Sequence, residues 1–496
     1  MSKPMLNAYP DSIGKNLGQC VKFLSNPQIK DVFADFYVLP SIFQSDLDRG
    51  FSVISYDLNK DLASPEDLSS LKSMGIGLKL DFVLNHASVQ SKQFQDILKK
   101  GEESEYKDFF IDWNQFWEGY GDMICEGYIE PRPEYIKDMF FRKPGLPILM
   151  VPMPGGGSKP YWNTFYQEVK QEGSRTSFLG QMDLNIKSPD VWEFYKDTLE
   201  KLAGYGAKIV RLDAFAYASK EPGARNFMND PGTWVLLARV KEIATSLGLA
   251  LLPEIHTEYR EKVHEKLADE GYLIYDFFMP GLLIHAIEKH NSEYILQWIG
   301  DIVEKGLKTV NMLGCHDGIP LLDLRGLLPD KEIDDVINII VRRGGYVKNI
   351  LGSKDMYYQV NATYYSALGE DDGKMLLARA LQLFMPGVPQ VWYLDLFGGK
   401  NDYDAAKRAG EGGHKEINRT NFTTAQAEAI LKNDLVKKQL DLLKFRNACP
   451  AFGEGAVITA RGGGHKLHIE WSLNGNTARL DVDFKAVSYT ISENRI

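Results

Sequence analysis

The chain has few cysteines, four in 496 residues, and Cys20, Cys125, Cys315 and Cys449 stand at neither C-x-x-C nor any metal-binding spacing. A disulfide framework is therefore not expected, and the thiols are read as reduced. Long hydrophobic runs are missing as well. No uninterrupted apolar stretch could span a bilayer, and the opening residues MSKPMLNAYPDSIG lack an apolar segment of secretory length. A cytoplasmic protein with no membrane partner is the expectation. Nor is there a block of like charge: the formal net charge of -10 is spread along the chain, which argues against nucleic acid as a partner. What remains is a chain made for small, neutral or locally steered ligands, as a monomer or homodimer.

A hydrophobic content of 44% over this length is enough for a large core with subsidiary domains. Short β-branched or aromatic runs alternate with longer helix-like stretches, the pattern of an α/β protein with a parallel sheet or barrel. Eight runs stand out: Met5 to Tyr9, Phe36 to Pro40, Leu78 to Asn85, Ile209 to Asp213, Leu251 to Glu254, Leu273 to Phe278, Thr309 to Leu313 and Gln390 to Tyr393. Eight predicts a closed (β/α)8 barrel.

Two connections are far longer than the usual few residues, after the third run and between the seventh and eighth. The first, residues 86–165, is rich in Trp, Tyr, Pro and Gly and reads as an inserted domain. The second, residues 318–365, carries one clear helix and a basic turn and reads as a smaller insert. Residues 1–85, 166–317 and 366–450 are then the barrel. LVKKQLDLLKFRNACP supplies its last amphipathic helix. Beyond Pro450 the pattern becomes short alternating segments broken by GGG and NG, predicting a small antiparallel domain over residues 451–496.

The candidate chemistry sits at the ends of these runs. In KIVRLDAF, Arg211 and Asp213 are two apart on a strand and share a face, with Asp213 at the carboxyl end, where barrel active sites lie. An arginine beside a carboxylate favours its ionised form, as a nucleophile requires. LLPEIHTEY repeats the arrangement with Glu254 and His256, and a glutamate closing an apolar run suits a general acid. NMLGCHDG places His316 and Asp317 at the seventh strand end, and LKLDFVLNH places Asp81, Asn85 and His86 along the third. Singly, each segment is equally a structural ion pair, a helix cap or a hydrogen-bonded histidine. Jointly, four strands deliver carboxylates, imidazoles and an arginine to one barrel rim.

These residues resemble the four signature regions of the α-amylase superfamily: D-x-x-x-N-H, R-x-D, a glutamate after the fifth strand, and H-D. DRGF, SEYKDFF, RLDAFAY, LLPEIH, YDFFMPGLL, CHDGI, YYQVNATYYSALG, PGVPQVWY, GGKND and EINR narrow the likeness to the sucrose phosphorylase group, from about Tyr9 to Phe452. The resemblance implies a retaining glycosyl transfer with Asp213 as nucleophile, Glu254 as acid/base and Asp317 as the third carboxylate. It further implies that His86 and His316 hold glucose hydroxyls and that Arg211 orients Asp213. Asp48 and Arg419 would close around the glucosyl unit, and Phe51 and Phe165 would offer apolar faces. Arg132, in EPRPE, and His256 would attract phosphate, and Tyr358 and Gln359 carry over as substrate-binding residues. No cofactor or metal is expected to be required, although a structural calcium near Asn85, as in some amylases, is left open by the likeness.

The implied reaction is phosphorolysis of sucrose to α-glucose 1-phosphate and fructose. Two departures bear on the acceptor: IIVRRGGYVKN differs from the family loop, and DMYYQV displaces an acidic residue. Arg342, Arg343 and Lys348 could bind an anionic leaving group, which makes a phosphorylase of sucrose 6'-phosphate or glucosylglycerate the alternative. Against that, KEIDDVINIIVRR reads as a helix with arginines in its last turn and Gly344-Gly345 as its C-cap. His414 and Lys415 are a further local departure. Hydrolysis or transglucosylation of short α-glucosides would use the same carboxylates.

Overall fold

A computed structural model describes residues 3–142, 144–165, 167–172, 175–349, 357–410 and 413–496, of which 167–172, 175–179, 348–349 and 357–358 are described by backbone alone. Eight parallel strands form one sheet: β1 (Met5–Ala8), β2 (Asp35–Val38), β3 (Gly77–Val83), β4 (Ala207–Asp213), β5 (Ala250–Pro253), β6 (Ile274–Asp276), β7 (Thr309–Met312) and β8 (Val388–Trp392). Their order is 5-4-3-2-1-8-7-6, so β1 pairs with both β2 and β8, the closure a (β/α)8 barrel needs. All eight lie within two residues at either end of the predicted runs or overlap them. They are legible for a physical reason: a parallel strand covered on both faces is nearly continuous apolar sequence, and every residue of β3 is buried.

The chain forms two compact units, Met1–Val38 with Glu66–Leu78 and His256–Ile496, and Leu39–Pro65 with Lys79–Ile255. In the second, the stretch after β3 builds its own small core from Ile111, Trp113, Trp117 and Trp162. Strand His86–Ser88 pairs antiparallel with Arg175–Asp183, which in turn pairs with Gln167–Glu172. These pairings carry antiparallel strand structure on to Asp183, past residue 165.

The first unit holds the second insert, a three-stranded antiparallel sheet of Ile319–Pro320, Tyr346–Asn349 and Tyr357–Asn361 around helix Asp330–Arg342. That helix begins with Asp330 and Glu332 and ends on Arg342, matching its dipole. Gly344 follows at φ 91°, and a Cβ there would stand 1.9 Å from the Tyr403 hydroxyl. Helix Asp434–Ala448, capped by the Asn433 side chain, is the expected last barrel helix. Four antiparallel strands follow, Val457–Gly463, Lys466–Leu473, Asn476–Asp483 and Ser488–Asn494, with Asn474 and Gly475 both at positive φ in the predicted N-G turn. Among the described residues no helix is long and apolar enough to cross a membrane. Cys20, Cys315 and Cys449 are buried thiols and Cys125 is an exposed one.

Candidate active site

In the second unit the strand ends deliver a dense charge cluster. Register pairs Leu212 of β4 with Pro253 of β5, so the next residues, Asp213 and Glu254, emerge side by side. Arg211 lies between carboxylates: Nη1 donates to Asp81 Oδ1 at 2.6 Å and to Asp213 Oδ1 at 2.8 Å, and Nη2 is 3.5 Å from Glu254 Oε1. The Phe51 ring covers this guanidinium, 5.4 Å from Cζ. Burial pushes the Asp213 carboxyl up to about 7, with Arg211 opposing and Glu254 and Asp81 reinforcing the rise. The arginine beside Asp213 was expected to hold it ionised; Arg211 does pull this carboxyl down, but burial outweighs it, and the guanidinium is shared with Asp81.

The backbone turns sharply after the strand, with Ala214 left-handed at φ 52° and a short 3-10 turn over Phe215–Tyr217. His86 donates from Nε2 to the Phe51 carbonyl at 3.0 Å, and its ring lies 4.9 Å from Phe165. Burial pushes this imidazole down to about 4, against the pull of Asp183, so it is neutral at pH 7. Asp48, Arg49 and Gly50 are three consecutive residues at positive φ (50°, 47° and 114°). A Cβ on Gly50 would sit 2.2 Å from the Pro40 carbonyl carbon, so only glycine lets this turn pack. Strain of that kind collects at ligand sites, and Asp48 is exposed on it.

Arg132 is exposed and ion-paired to Asp122 at 3.5 Å. Sequence reasoning missed Arg142, whose guanidinium lies 5.0 Å over Phe165 and 5.5 Å over Tyr217 and donates to the Tyr217 hydroxyl at 2.9 Å. A lone arginine in FFRKPG carries no spacing signal that could have found it.

In the first unit, Asp317 is held from several sides. His316 Nε2 is 3.1 Å from its Oδ2, Lys415 pairs closely with Oδ1, and Arg419 Nη2 lies at 3.9 Å. Burial pushes the Asp317 carboxyl up, but His316, Lys415 and Arg419 outweigh it and hold it well below the usual carboxylate range. Arg419 also donates from Nε to the His316 carbonyl at 2.9 Å. Gln359 and Asn361 both donate to the Asp317 main-chain carbonyl, at 2.7 and 2.6 Å. Gln359, expected against substrate, thus braces the backbone of Asp317. The Tyr358 and Lys348 side chains lie outside those described.

His256 does not continue the alternation of β5, which ends at Pro253; its Nδ1 is 3.1 Å from Asp323 Oδ2 and its ring stacks on Phe277 at 4.0 Å. Arg343 is committed elsewhere, donating to both Glu288 oxygens at 3.1 and 2.9 Å and to the Ala367 carbonyl at 2.7 Å. Arg342 is exposed, and the His414 ring rests 5.4 Å from Tyr346.

The Alpha amylase, catalytic domain family matches residues 56–297. A relative named sucrose 6(F)-phosphate phosphorylase, from Ilumatobacter coccineus, is 55% identical, over 99% of this chain and 95% of its own. A sucrose phosphorylase from Streptococcus mutans is 32% identical, over 100% of this chain and 98% of its own. The crystal structure of sucrose 6F-phosphate phosphorylase from Thermoanaerobacter thermosaccharolyticum superposes with a TM-score of 0.90 at 34% identity, covering 100% of this chain and 96% of that one. The chain belongs to the sucrose phosphorylase group of the α-amylase superfamily, enzymes of the glycosyltransferase-type phosphorylase class on a (β/α)8 barrel.

Proposed function

We propose that the chain is a retaining phosphorylase that takes sucrose 6F-phosphate and inorganic phosphate to α-D-glucose 1-phosphate and fructose 6-phosphate. The observation that carries the retaining chemistry is the lateral pairing of Asp213 and Glu254 on one arginine. Adjoining strands lie about 4.8 Å apart, close to the separation of roughly 5 Å at which one carboxylate attacks and the other transfers a proton. Glu254 gives its proton to the leaving fructosyl oxygen while Asp213 attacks the anomeric carbon, forming a β-glucosyl ester. Phosphate then attacks that carbon from the vacated face, Glu254 takes the phosphate proton, and the ester bond to Asp213 breaks. Two inversions give net retention.

In this reading Arg211 orients Asp213. Asp317, kept ionised by His316, Lys415 and Arg419, stabilises the oxocarbenium-like charge. His86, His316, Asp48, Arg419, Phe51 and Phe165 shape the glucose subsite; Arg132 and His256, joined by Arg142, attract phosphate near the carboxylates. The insert over residues 86–165, continued by the strands that run on to Asp183, the insert over 318–365 and the domain over 451–496 complete the proposed organisation.

The 6F-phosphate of the substrate rests on the likeness at 55% identity to a protein of that name, which reverses the order read from sequence, where sucrose stood first. Sucrose itself is the second reading, favoured by one observation: Arg343, a cation expected to meet an anionic leaving group, is bound to Glu288. Release of glucose 1-phosphate and of free glucose, with and without phosphate, from sucrose 6F-phosphate, sucrose and glucosylglycerate separates the cases. Faster turnover of sucrose selects the second reading. Turnover equal in the absence of phosphate would mean a hydrolase or transglucosidase and would sink both.

A further inference from the structure

One buried cluster has no part in the chemistry just described. The Lys220 ammonium donates to Asn85 Oδ1 at 3.0 Å and to the Tyr217 main-chain carbonyl at 2.5 Å, and lies 2.8 Å from Asp183 Oδ2. Its side chain is 1% exposed and that of Asp183 0%. The Trp162 ring closes the site, 5.5 Å from the nitrogen. Burial pulls the lysine pKa down while Asp183 pushes it back up. Asp183 is saturated, accepting also from the Thr164 amide at 2.8 Å, the Thr164 hydroxyl at 2.6 Å and Asn85 Nδ2 at 3.0 Å.

The three oxygens on Lys220 come from three places in the chain: just past β3, the end of strand Arg175–Asp183, and the turn four residues beyond Asp213. A carboxylate, a side-chain amide oxygen and a peptide carbonyl converging on one point form the all-oxygen donor set that a hard cation takes. Among the described residues no group of three His, Cys, Asp or Glu side chains could hold a metal ion, and the oxygens near Asn85 do not fit calcium in this chain because an ammonium fills their centre.

We propose that Lys220 is a built-in cation: its ammonium occupies a hard-cation cage made by Asn85, Asp183 and Tyr217 and joins those three segments as a bound calcium ion would. Emptying the cage by Lys220→Ala leaves a buried carboxylate with no counter-charge, and a divalent ion then has a place to bind. Filling it with a neutral side chain, Lys220→Met, leaves the stranded charge but no room.

The test is thermal melting in phosphate-free buffer, with chelator and then with millimolar calcium chloride. The wild-type protein is expected to melt at the same temperature in both. Lys220→Ala is expected to melt at least about 5 °C lower in chelator and to regain about half of that loss in calcium. Lys220→Met is expected to be destabilised without calcium rescue. The double variant Lys220→Met/Asp183→Asn, with no stranded charge, is expected to melt above Lys220→Met. Loss of wild-type stability on chelation, or Lys220→Ala melting like wild type, or a calcium response no greater in Lys220→Ala than in Lys220→Met, would each overturn the proposal. Where a single variant does not fold, soluble yield decides: a double variant no more soluble than Lys220→Met also refutes it.

Discussion

Arg211 faces Asp81, Asp213 and Glu254 with a single positive charge, and burial makes the deficit felt. A carboxyl whose pKa is raised is protonated over a wider range, so Asp213 at about 7 loses its nucleophilic form as the pH falls through neutrality. The acid limb of kcat/KM for glucose 1-phosphate release is therefore expected near pH 7 and belongs to the Asp213–Glu254 pair rather than to one residue. A limb near pH 4 would contradict this electrostatic account. Asp213→Asn is expected to lower turnover at least about 10³-fold. Glu254→Gln, by contrast, is expected to accumulate a glucosyl adduct, seen by intact mass, from a glucosyl donor whose leaving group needs no proton. Arg211, Asp213 and Glu254 were legible because strand alternation and strand ends fix where such side chains go. Lys220, in YASKEPG, and Arg142, in FFRKPG, were not. A solitary cation in a loop reads as solvated, and only tertiary contacts bury it.

The helix Asp330–Arg342 ends in two arginines that sequence reading could not tell apart. The left-handed exit at Gly344 follows them, with Arg343 on Glu288, where Lys374 also binds, and Arg342 exposed. Burial pushes the Glu288 carboxyl up, yet Arg343 and Lys374 together hold it below its ordinary value. Arg343→Ala is accordingly expected to cost about 2 kcal/mol in stability by urea titration, with the preference for sucrose 6F-phosphate over sucrose unchanged. Arg342→Ala is expected to do the reverse, lowering that preference about tenfold with an unaltered melt. An unchanged preference would leave Arg342 as a helix-end charge only. The C-cap glycine was legible from its position after a basic turn. Which arginine is bound depends on Glu288, more than fifty residues upstream, and no local pattern carries that.

At the scale of the molecule, the C-terminal sheet looks detachable in sequence because its hairpins are local. Its packing says otherwise. Trp471 donates from Nε1 to the Phe384 carbonyl at 2.8 Å, and the buried Arg446 guanidinium stacks against both Phe452 (4.1 Å) and Trp471 (4.6 Å). A chain ending at Gly455 strips one face from that cation and is expected to lose most of its soluble yield; a soluble fragment with a wild-type melt would show the sheet to be independent. The barrel, by comparison, was readable end to end, since each strand is a short apolar run whose neighbours follow in order. The Lys220 cage has one more consequence. Inorganic phosphate, the proposed co-substrate, binds calcium and draws it from solution, so a fold pinned by calcium would be weakened by the very ligand it turns over. A cation tethered by its own side chain cannot be leached, and the protein can work in phosphate-rich surroundings without losing the pin beside the proposed nucleophile.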